Sequence, residues 1–185
     1  MSAGTWEGCA WLNPPPQWSL TPEALRVRSG EGTDFWRHTH YGFVKDDGHV
    51  FGREMTGDFR MTVTFAGEFA AQYDQAGVML RGSESEWLKC GVEYVDGIRR
   101  VSTVVTRGFS DWSIVSPPEL PERLTMEVTR AGDCVEVRYL VGAPELVRVA
   151  YVDPGVPLFG GVMCASPQGP GFESVFERFE VTPAL

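Results

Sequence analysis

The sequence predicts an all-β protein folded as a two-sheet antiparallel sandwich, and three observations support this fold class. The 21 glycines and 13 prolines divide the chain so evenly that its longest run free of both spans residues 172–182, which leaves little room for long helices. Within the short runs, apolar and polar residues alternate with period two, as is typical of strands with one buried face. Roughly a dozen such runs follow one another at the spacing of a sandwich.

The period-two pattern places the strands in chain order. The clearest alternation lies in residues 60–65, 124–129 and 134–139. Further strands are predicted over residues 25–28, 50–54, 76–81, 87–95, 99–107, 146–152, 158–164 and part of 172–181. The last segment also fits helical spacing, but its valine and phenylalanines favour sheet. The dipeptides Asp96-Gly97 and Gly132-Asp133 predict hairpin turns between neighbouring antiparallel strands.

Composition and charge restrict the function classes. Hydrophobic residues make up 43% of the chain and charged residues 22%, which is typical of a globular protein. At 185 residues the chain has the size of one domain, so we interpret residues 1–185 as a single sandwich domain. The formal net charge is −9 and no basic stripe stands out. Nucleic acid and anionic membranes are therefore not expected as partners.

The start of the chain and the cysteines predict a cytoplasmic protein. Residues 1–16 contain no cationic segment followed by an apolar one, and no stretch approaches the ~18 apolar residues of a membrane span. The four cysteines are scattered singly, without the paired spacing of a zinc or redox site. We therefore expect reduced thiols and no cofactor.

All three histidines lie within residues 38–49. If the first part of this region is extended, Trp36, His38 and His40 point to the same side. Two histidines at this spacing can bind one metal ion together with a carboxylate from a neighbouring strand. The alternative is ordinary hydrogen bonding on a polar face or loop, and we favour it because His-x-His is a short and common pattern. We predict no metal site.

Residues 87–94 carry the strongest functional signal. Alternation places Trp87, Lys89, Gly91 and Glu93 on one face, so that an aromatic ring, a cation, bare backbone and a carboxylate stand in one row. This mixture suits a sugar or another polar small molecule in a shallow groove. The alternative is a Lys89–Glu93 ion pair beside a partly buried Trp87, on a face that a loop covers.

The preceding predicted strand and a later tryptophan extend this interpretation. Gln75 and Gly77 share one side of residues 74–81. A glycine inside a strand often marks the close approach of a ligand or another backbone, and both Gly77 and Gly91 are candidates. Trp112, beside an aspartate, is either a core or edge anchor or a ring at the rim of the groove.

A glycosidase would need two carboxyl groups about 5–10 Å apart, one of them with a raised pKa. The candidates are Glu93 paired with Glu84 or Glu86, and Asp74. Glu84 and Glu86 precede the strand in a polar turn, so solvated charges are the simpler interpretation. The sequence contains no nucleophile elbow, phosphate loop or dinucleotide fingerprint. It assigns no catalytic residue.

Several short motifs follow one another in the order seen in a known family. They are Thr33-Asp34-Phe35-Trp36, His40-Tyr41-Gly42, Asp47-Gly48-His49, Gly57-Asp58-Phe59, Tyr73-Asp74-Gln75-Ala76-Gly77, Trp87-Leu88-Lys89 with Gly91-Val92-Glu93, Val104-Val105-Thr106 and Ser110-Asp111-Trp112-Ser113. On these motifs the chain resembles the family that includes the yeast "regulation of enolase" protein. The resemblance extends over residues 11–181 and implies a concanavalin A-like jelly-roll sandwich. That fold includes lectins, glycoside hydrolases and accessory domains of xylosidases, so the resemblance implies no particular activity.

The sequence thus predicts a binding module for a carbohydrate or sugar-like metabolite, with a shallow site on the concave sheet. The residues expected to form this site are Trp36, His40, Gln75, Trp87, Lys89, Glu93 and Trp112. Rings would stack on sugar faces while the polar side chains bind hydroxyl groups. One alternative is a glycoside hydrolase or related sugar-active enzyme that uses Glu93 as acid or base. The other is a regulatory protein that binds a metabolic enzyme. Exposed edge strands would also allow a homodimer.

Overall fold

The computed structural model describes residues 6–184, and this part of the chain forms sixteen strands. In chain order they are β1 (Ala10–Leu12), β2 (Gln17–Leu20), β3 (Leu25–Arg28), β4 (Phe35–Arg37), β5 (Val44–Asp46), β6 (His49–Met55), β7 (Phe59–Gly67), β8 (Gln75–Arg81), β9 (Glu86–Val95), β10 (Ile98–Arg107), β11 (Phe109–Val115), β12 (Leu124–Ala131), β13 (Cys134–Val141), β14 (Ala143–Tyr151), β15 (Leu158–Ala165) and β16 (Glu173–Pro183). Within the described residues no helix is long and apolar enough to cross a membrane. The prediction about the start of the chain falls partly on residues 1–5, outside the described part.

Fourteen of the strands form two seven-stranded sheets. The first sheet has the order β1-β6-β15-β8-β9-β10-β11, and the second has the order β14-β13-β12-β7-β16-β3-β2. All paired strands run antiparallel, and β4 and β5 pair separately as a short ribbon. The predicted all-β, two-sheet antiparallel sandwich is confirmed.

The main core lies between the two sheets. The alternation predicted for β9 is confirmed, because Leu88, Cys90 and Val92 belong to this core, while the residues between them lie on the outer face of the first sheet. The second sheet contributes fully buried side chains such as Met61 and Phe65. Burial of each such side chain contributes roughly 1.5–3 kcal/mol, so the sandwich is held mainly by this layer. All four cysteines are free thiols.

The predicted turns are present where the sequence places them. Asp96 and Gly97 join β9 to β10 with positive φ angles of 53° and 78°, which suit the twist of a two-residue hairpin. Gly132 and Asp133 join β12 to β13. Both dipeptides were therefore sufficient to locate their hairpins.

The ambiguous last segment is a strand, and its irregular spacing has a structural cause. The register of β16 against β7 shifts between Phe176 and Arg178. This β-bulge adds one residue, so Phe176 and Phe179 both lie in the core although they are three positions apart. The helix-like spacing of the phenylalanines comes from the bulge.

Gly77 and Gly91 mark a close approach of backbones. They face each other across β8 and β9. A Cβ atom on Gly77 would lie 2.0 Å from the Cys90 carbonyl oxygen, and one on Gly91 would lie 2.1 Å from that of Ala76. Of the two explanations that the sequence left open, the neighbouring backbone accounts for both glycines.

The β4–β5 ribbon covers part of the outer face of the first sheet. Its rings, Phe35 and Trp36, belong to a second apolar cluster together with side chains of that face: Val50, Met79, Trp87, Val104 and Met163. The condition under which Trp36, His38 and His40 would align is not met, since β4 ends at Arg37 and the two histidines have φ angles of 59° and 63° in a tight loop. These histidines therefore do not form a row on one side of a strand.

Polar contacts fix the ribbon in place. The Arg81 guanidinium makes a bidentate ion pair with Asp46, with N–O distances of 2.6 and 2.7 Å. The Lys89 ammonium donates to the Phe35 carbonyl oxygen at 2.7 Å, and the Arg37 backbone N–H donates to Ser110 Oγ at 2.9 Å. Bidentate charged contacts are among the stronger hydrogen bonds, so the ribbon is a built part of the fold.

His49, at the start of β6, joins two backbone segments near the ribbon. Its Nε2 accepts a hydrogen bond from the Gly30 N–H at 2.9 Å, and its Nδ1 lies 2.7 Å from the Asn13 carbonyl oxygen. These contacts require a neutral ring that carries its proton on Nδ1. Burial lowers the pKa of His49 below its ordinary value of 6.5, although the Asn13 carbonyl and Asp47 oppose this shift.

We expect the His49 contacts to make stability depend on pH. The pKa of His49 is lower in the folded state than in the unfolded state. The contribution of His49 to the free energy of unfolding is therefore fully present above pH 6.5 and is lost as the pH falls through the lower, folded-state pKa. Urea unfolding of the wild type and His49→Gln between pH 8 and 5 measures the effect. The slope of the free energy of unfolding against pH should be smaller in His49→Gln than in the wild type. It should be unchanged in His40→Gln, which serves as a control because His40 is exposed. Equal slopes in all three proteins would contradict the expectation.

Candidate functional site

A cavity of about 250 Å³ opens on the outer face of the first sheet, beside the β4–β5 ribbon. We call it the cup. Its lining comes from the ribbon, from β9, β10 and β11, and from the loops before β8 and after β15. The lining residues are Asp34, Trp36, Tyr41, Phe43, Lys45, Tyr73, Lys89, Glu93, Val104, Trp112, Pro167 and Gln168. The cup therefore combines rings, charges and loops from distant parts of the chain.

A buried ion pair lies in the floor of the cup. Lys89 Nζ is 3.2 Å from Asp34 Oδ1, and the two side chains are only 5% and 12% exposed. The same oxygen accepts hydrogen bonds from the Phe35 N–H at 2.7 Å and from Gln75 Nε2 at 3.3 Å. The Lys89–Glu93 pair that the sequence offered as an alternative is not the pair observed: Lys89 pairs with Asp34, because the ribbon brings Asp34 over β9.

Glu93 is the second acidic group of the floor. It is 7% exposed, and its Oε2 accepts a hydrogen bond from the Trp112 indole N–H at 2.9 Å. The same N–H lies 3.1 Å from Ser102 Oγ. Burial raises the pKa of the Glu93 carboxyl, although nearby Lys89 opposes the shift. Glu93 thus presents a desolvated carboxyl group whose main contact also orients the Trp112 ring.

Aromatic side chains form the wall. Trp36 contacts Tyr41 edge-on at 5.6 Å between ring centroids, and Tyr41 stacks on Phe43 at 5.7 Å. The hydroxyl oxygens of Tyr41 and Tyr73 lie 3.4 Å apart, and their hydrogen bond is the main cause that raises the pKa of Tyr41 to about 12. Tyr73 contacts Trp112 edge-on at 6.2 Å. The rings therefore form a continuous wall from the ribbon to β11.

Four of the seven predicted site residues line the cup together. They are Trp36, Lys89, Glu93 and Trp112. Gln75 lies beneath, where its amide donates to Asp34 and to the Tyr73 carbonyl oxygen. His40 is exposed on the loop that joins β4 to β5, outside the lining, with its ring against Tyr41.

Trp87 does not lie in the cup. It is 4% exposed and packs edge-on against Phe35, with 6.1 Å between the ring centroids. The sequence placed it correctly on the outer face but could not show that the ribbon covers this end of β9. Its ring therefore stabilises the ribbon and cannot stack on a ligand there.

Sequence reasoning missed most of the loop residues of the cup. Asp34, Tyr41 and Tyr73 all occur in the short motifs that carry the family resemblance. Period-two analysis could not select them, because loop residues have no periodic pattern. Phe43, Lys45, Pro167 and Gln168 have no distinguishing signal in the sequence.

The carboxyl groups considered for acid–base catalysis are not assembled around Glu93. Glu86 lies seven residues from Glu93 on the same extended strand, a separation of roughly 23 Å. Glu84 is exposed and precedes that strand. Asp74 is 1% exposed and accepts hydrogen bonds from the Ala70 and Ala71 N–H groups and the Ser166 hydroxyl. Among residues 6–184 there is no group of three or more His, Cys, Asp or Glu side chains that could hold a metal ion.

The fold is shared with carbohydrate-active proteins of low sequence identity. A mutant of the GH43 protein BlXynB from Bacillus licheniformis superposes with a TM-score of 0.75 at 17% identity, covering 98% of this chain and 39% of that one. The carbohydrate binding module CBM66 from Bacillus subtilis superposes with a TM-score of 0.55 at 13% identity, covering 95% and 96%. These likenesses establish a common sandwich fold.

More similar proteins come from yeast. A functionally unknown protein from Saccharomyces cerevisiae has a crystal structure that superposes with a TM-score of 0.93 at 31% identity, covering 97% of this chain and 98% of that one. "Regulation of enolase protein 1" of the same species is 32% identical over 177 residues, which is 95% of this chain and 89% of the relative. Residues 11–184 match the family described as "Protein of unknown function (DUF1349)". The chain therefore belongs to this family, as its short motifs predicted.

Proposed function

We propose that the protein binds a carbohydrate or sugar-like small molecule in the cup. The observation that carries this proposal is the combination, within one cavity, of an aromatic wall with a polar floor. Tyr73 and Trp112 offer ring surface to the apolar faces of a sugar, and the largely buried Trp36 adjoins them in the lining. Lys89 and Glu93 offer a donor and a carboxyl group to its hydroxyls. Sugar-sized ligands need both kinds of contact for affinity and orientation.

The fold neighbours agree with a sugar ligand. The sandwich of this chain covers nearly all of a carbohydrate binding module and part of a glycoside hydrolase family 43 protein. Fold likeness alone does not fix a ligand, so the chemistry of the cup remains the main support.

Binding is favoured over catalysis because Glu93 lacks a free carboxylate partner in the cup. Asp34, the other acidic residue of the lining, is engaged by Lys89, Gln75 and the Phe35 N–H. A glycosidase needs one carboxyl group as acid and another as base or nucleophile. The cup holds instead a Lys89–Asp34 ion pair and a Glu93 carboxyl group bound by the Trp112 indole, an arrangement that suits ligand recognition.

Replacing Trp112 with alanine should weaken sugar binding by about 10- to 100-fold, since a partly buried tryptophan at a binding site is typically worth a few kcal/mol. The measurement is a thermal-shift screen against monosaccharides, oligosaccharides and sugar phosphates, followed by calorimetry of each hit. A ligand at 100 times its Kd should raise the wild-type Tm by roughly 5–10 °C. Trp18→Ala is the matched control, because Trp18 is 47% exposed on β2 of the other sheet.

Two results would overturn the proposal. One is equal loss of binding in Trp112→Ala and Trp18→Ala, which would place the ligand elsewhere. The other is the absence of any sugar-dependent shift in the wild type. That second result would favour a regulatory protein that binds a metabolic enzyme, the function that the name of the yeast relative suggests.

A further inference from the structure

We infer that the cup holds a single sugar residue, either a free monosaccharide or the end of a chain, and not the interior of a polysaccharide. The inference rests on the proposed function and specifies its ligand class. It follows from how the cup is bounded, from its size and from the arrangement of its polar groups.

The β4–β5 ribbon blocks the sheet face on one side of the cup. An extended polysaccharide chain needs a groove that continues across several strands. On the outer face of the sheet, Lys89 of β9 lies directly opposite Met79 of β8. Phe35 and Trp36 of the ribbon pack against Met79 and Trp87 in one apolar cluster. Both Met79 and Phe35 are 0% exposed. A chain lying along the sheet would meet the ribbon after the cup.

The ribbon cannot swing aside without losing one buried and one partly buried ion pair. The Arg81–Asp46 pair ties β5 to β8, and the Lys89 ammonium holds both the Phe35 carbonyl oxygen and the Asp34 carboxylate. Leaving the Lys89 and Asp34 charges unpaired in their buried site costs free energy. The obstruction is therefore a fixed boundary of the site.

The aromatic wall turns around the cup instead of running along it. A module that binds a chain interior presents several rings in a row, one for each sugar residue. In this structure the ring contacts pass from Trp36 to Tyr41, across the hydroxyl contact to Tyr73, and on to Trp112. The Trp36–Tyr41 and Tyr73–Trp112 contacts are edge-on, so the two rings of each pair face different directions, whereas Phe43 stacks on Tyr41. Such a wall surrounds one ring-sized ligand.

The size and floor of the cup fit the same ligand. Its volume of about 250 Å³ lies below the roughly 300–1,000 Å³ typical of pockets for drug-sized molecules. The buried polar groups Asp34, Lys89 and Glu93 lie at the bottom, whereas Tyr41, Phe43 and Trp112 at the rim are 37–46% exposed. The groups that can hydrogen-bond to a ligand therefore lie at the bottom of the cup, where only one sugar residue of the ligand fits.

The test compares affinity across chain length. Calorimetry would measure wild-type protein with glucose, xylose, arabinose, galactose and fructose, and with the linear oligosaccharides of two to six residues built from each. For the sugar that binds, we expect the Kd per molecule to stay within about threefold from monosaccharide to hexasaccharide, because added residues make no contacts. Saturation-transfer NMR with the hexasaccharide should place the strongest contacts on one terminal residue.

Trp112→Ala gives a second readout. It should weaken the monosaccharide and the hexasaccharide by the same factor, since both use one subsite. Affinity that rises tenfold or more with chain length, or saturation spread over interior residues, would overturn the inference while leaving the proposed function intact. Absence of binding by every sugar would overturn both. Monosaccharide binding that is lost when the residue is linked into a chain would restrict the ligand to free sugars.

Discussion

The variant Lys89→Met is expected to lower the free energy of unfolding by about 3–5 kcal/mol, because it removes one partner of a buried ion pair. The Lys89 ammonium donates to Asp34 Oδ1 and to the Phe35 carbonyl oxygen, and its side chain is 5% exposed. Without it, the Asp34 carboxylate stays in a desolvated site with only uncharged donors. Urea unfolding at constant pH measures the loss as a lower midpoint at an unchanged m-value.

The chain provides a matched control for this prediction. Lys45 Nζ lies 2.7 Å from Asp47 Oδ2, but the two side chains are 38% and 51% exposed. Exposed ion pairs contribute about 0–1 kcal/mol, so Lys45→Met should have little effect. Adding Asp34→Asn to Lys89→Met should recover part of the lost stability, since the neutral amide no longer needs a cation. Equal midpoints for Lys89→Met and Lys45→Met would show that the buried pair is not stabilising.

The fold could be predicted from the sequence because its determinants are local and periodic. The alternation at residues 60–65 and 124–129 marked β7 and β12, and Asp96-Gly97 marked a hairpin. Five observed strands were not predicted: β1, β2, β4, β5 and β11. The residues of β2 are exposed throughout, and β11 has exposed apolar side chains beside a buried Ser110, so neither strand shows a buried apolar alternation. The strands β1, β4 and β5 have three residues each. A strand of three residues contains too few positions to show a period.

The candidate site was only partly predictable because loops and the ribbon complete it. Alternation put Lys89 and Glu93 on the correct face of β9, and both line the cup. Trp87 has the same alternation phase, yet Phe35 covers it. Which part of a sheet face stays open depends on contacts across long sequence separations, such as Lys89 with Asp34, and a single sequence does not encode these as a pattern.

The variant Gly77→Ala is expected to destabilise the sandwich by about 3 kcal/mol or more, at or above the upper end of ordinary overpacking. Its Cβ atom would lie 2.0 Å from the Cys90 carbonyl oxygen and 2.6 Å from Gly91 Cα. Both atoms belong to the backbone of β9, so no side-chain rotation can make room. Relief requires β8 and β9 to separate at the middle of the first sheet, beneath the cup. Soluble yield and urea unfolding measure the loss.

Gly82→Ala separates this steric effect from the general effect of replacing a glycine. A Cβ atom at Gly82 would meet the Val156 side chain at 3.4 Å, which is ordinary contact, and Gly82 does not have a positive φ angle. That variant should match the wild type or gain about 0.4–1 kcal/mol, because alanine reduces the entropy of the unfolded chain. If Gly77→Ala unfolded at the same urea concentration as Gly82→Ala, β8 and β9 would not approach as closely as described.

The Gly77–Gly91 contact sets the spacing between β8 and β9, and β9 carries Lys89 and Glu93. A partly folded Gly77→Ala protein should therefore also lose sugar binding.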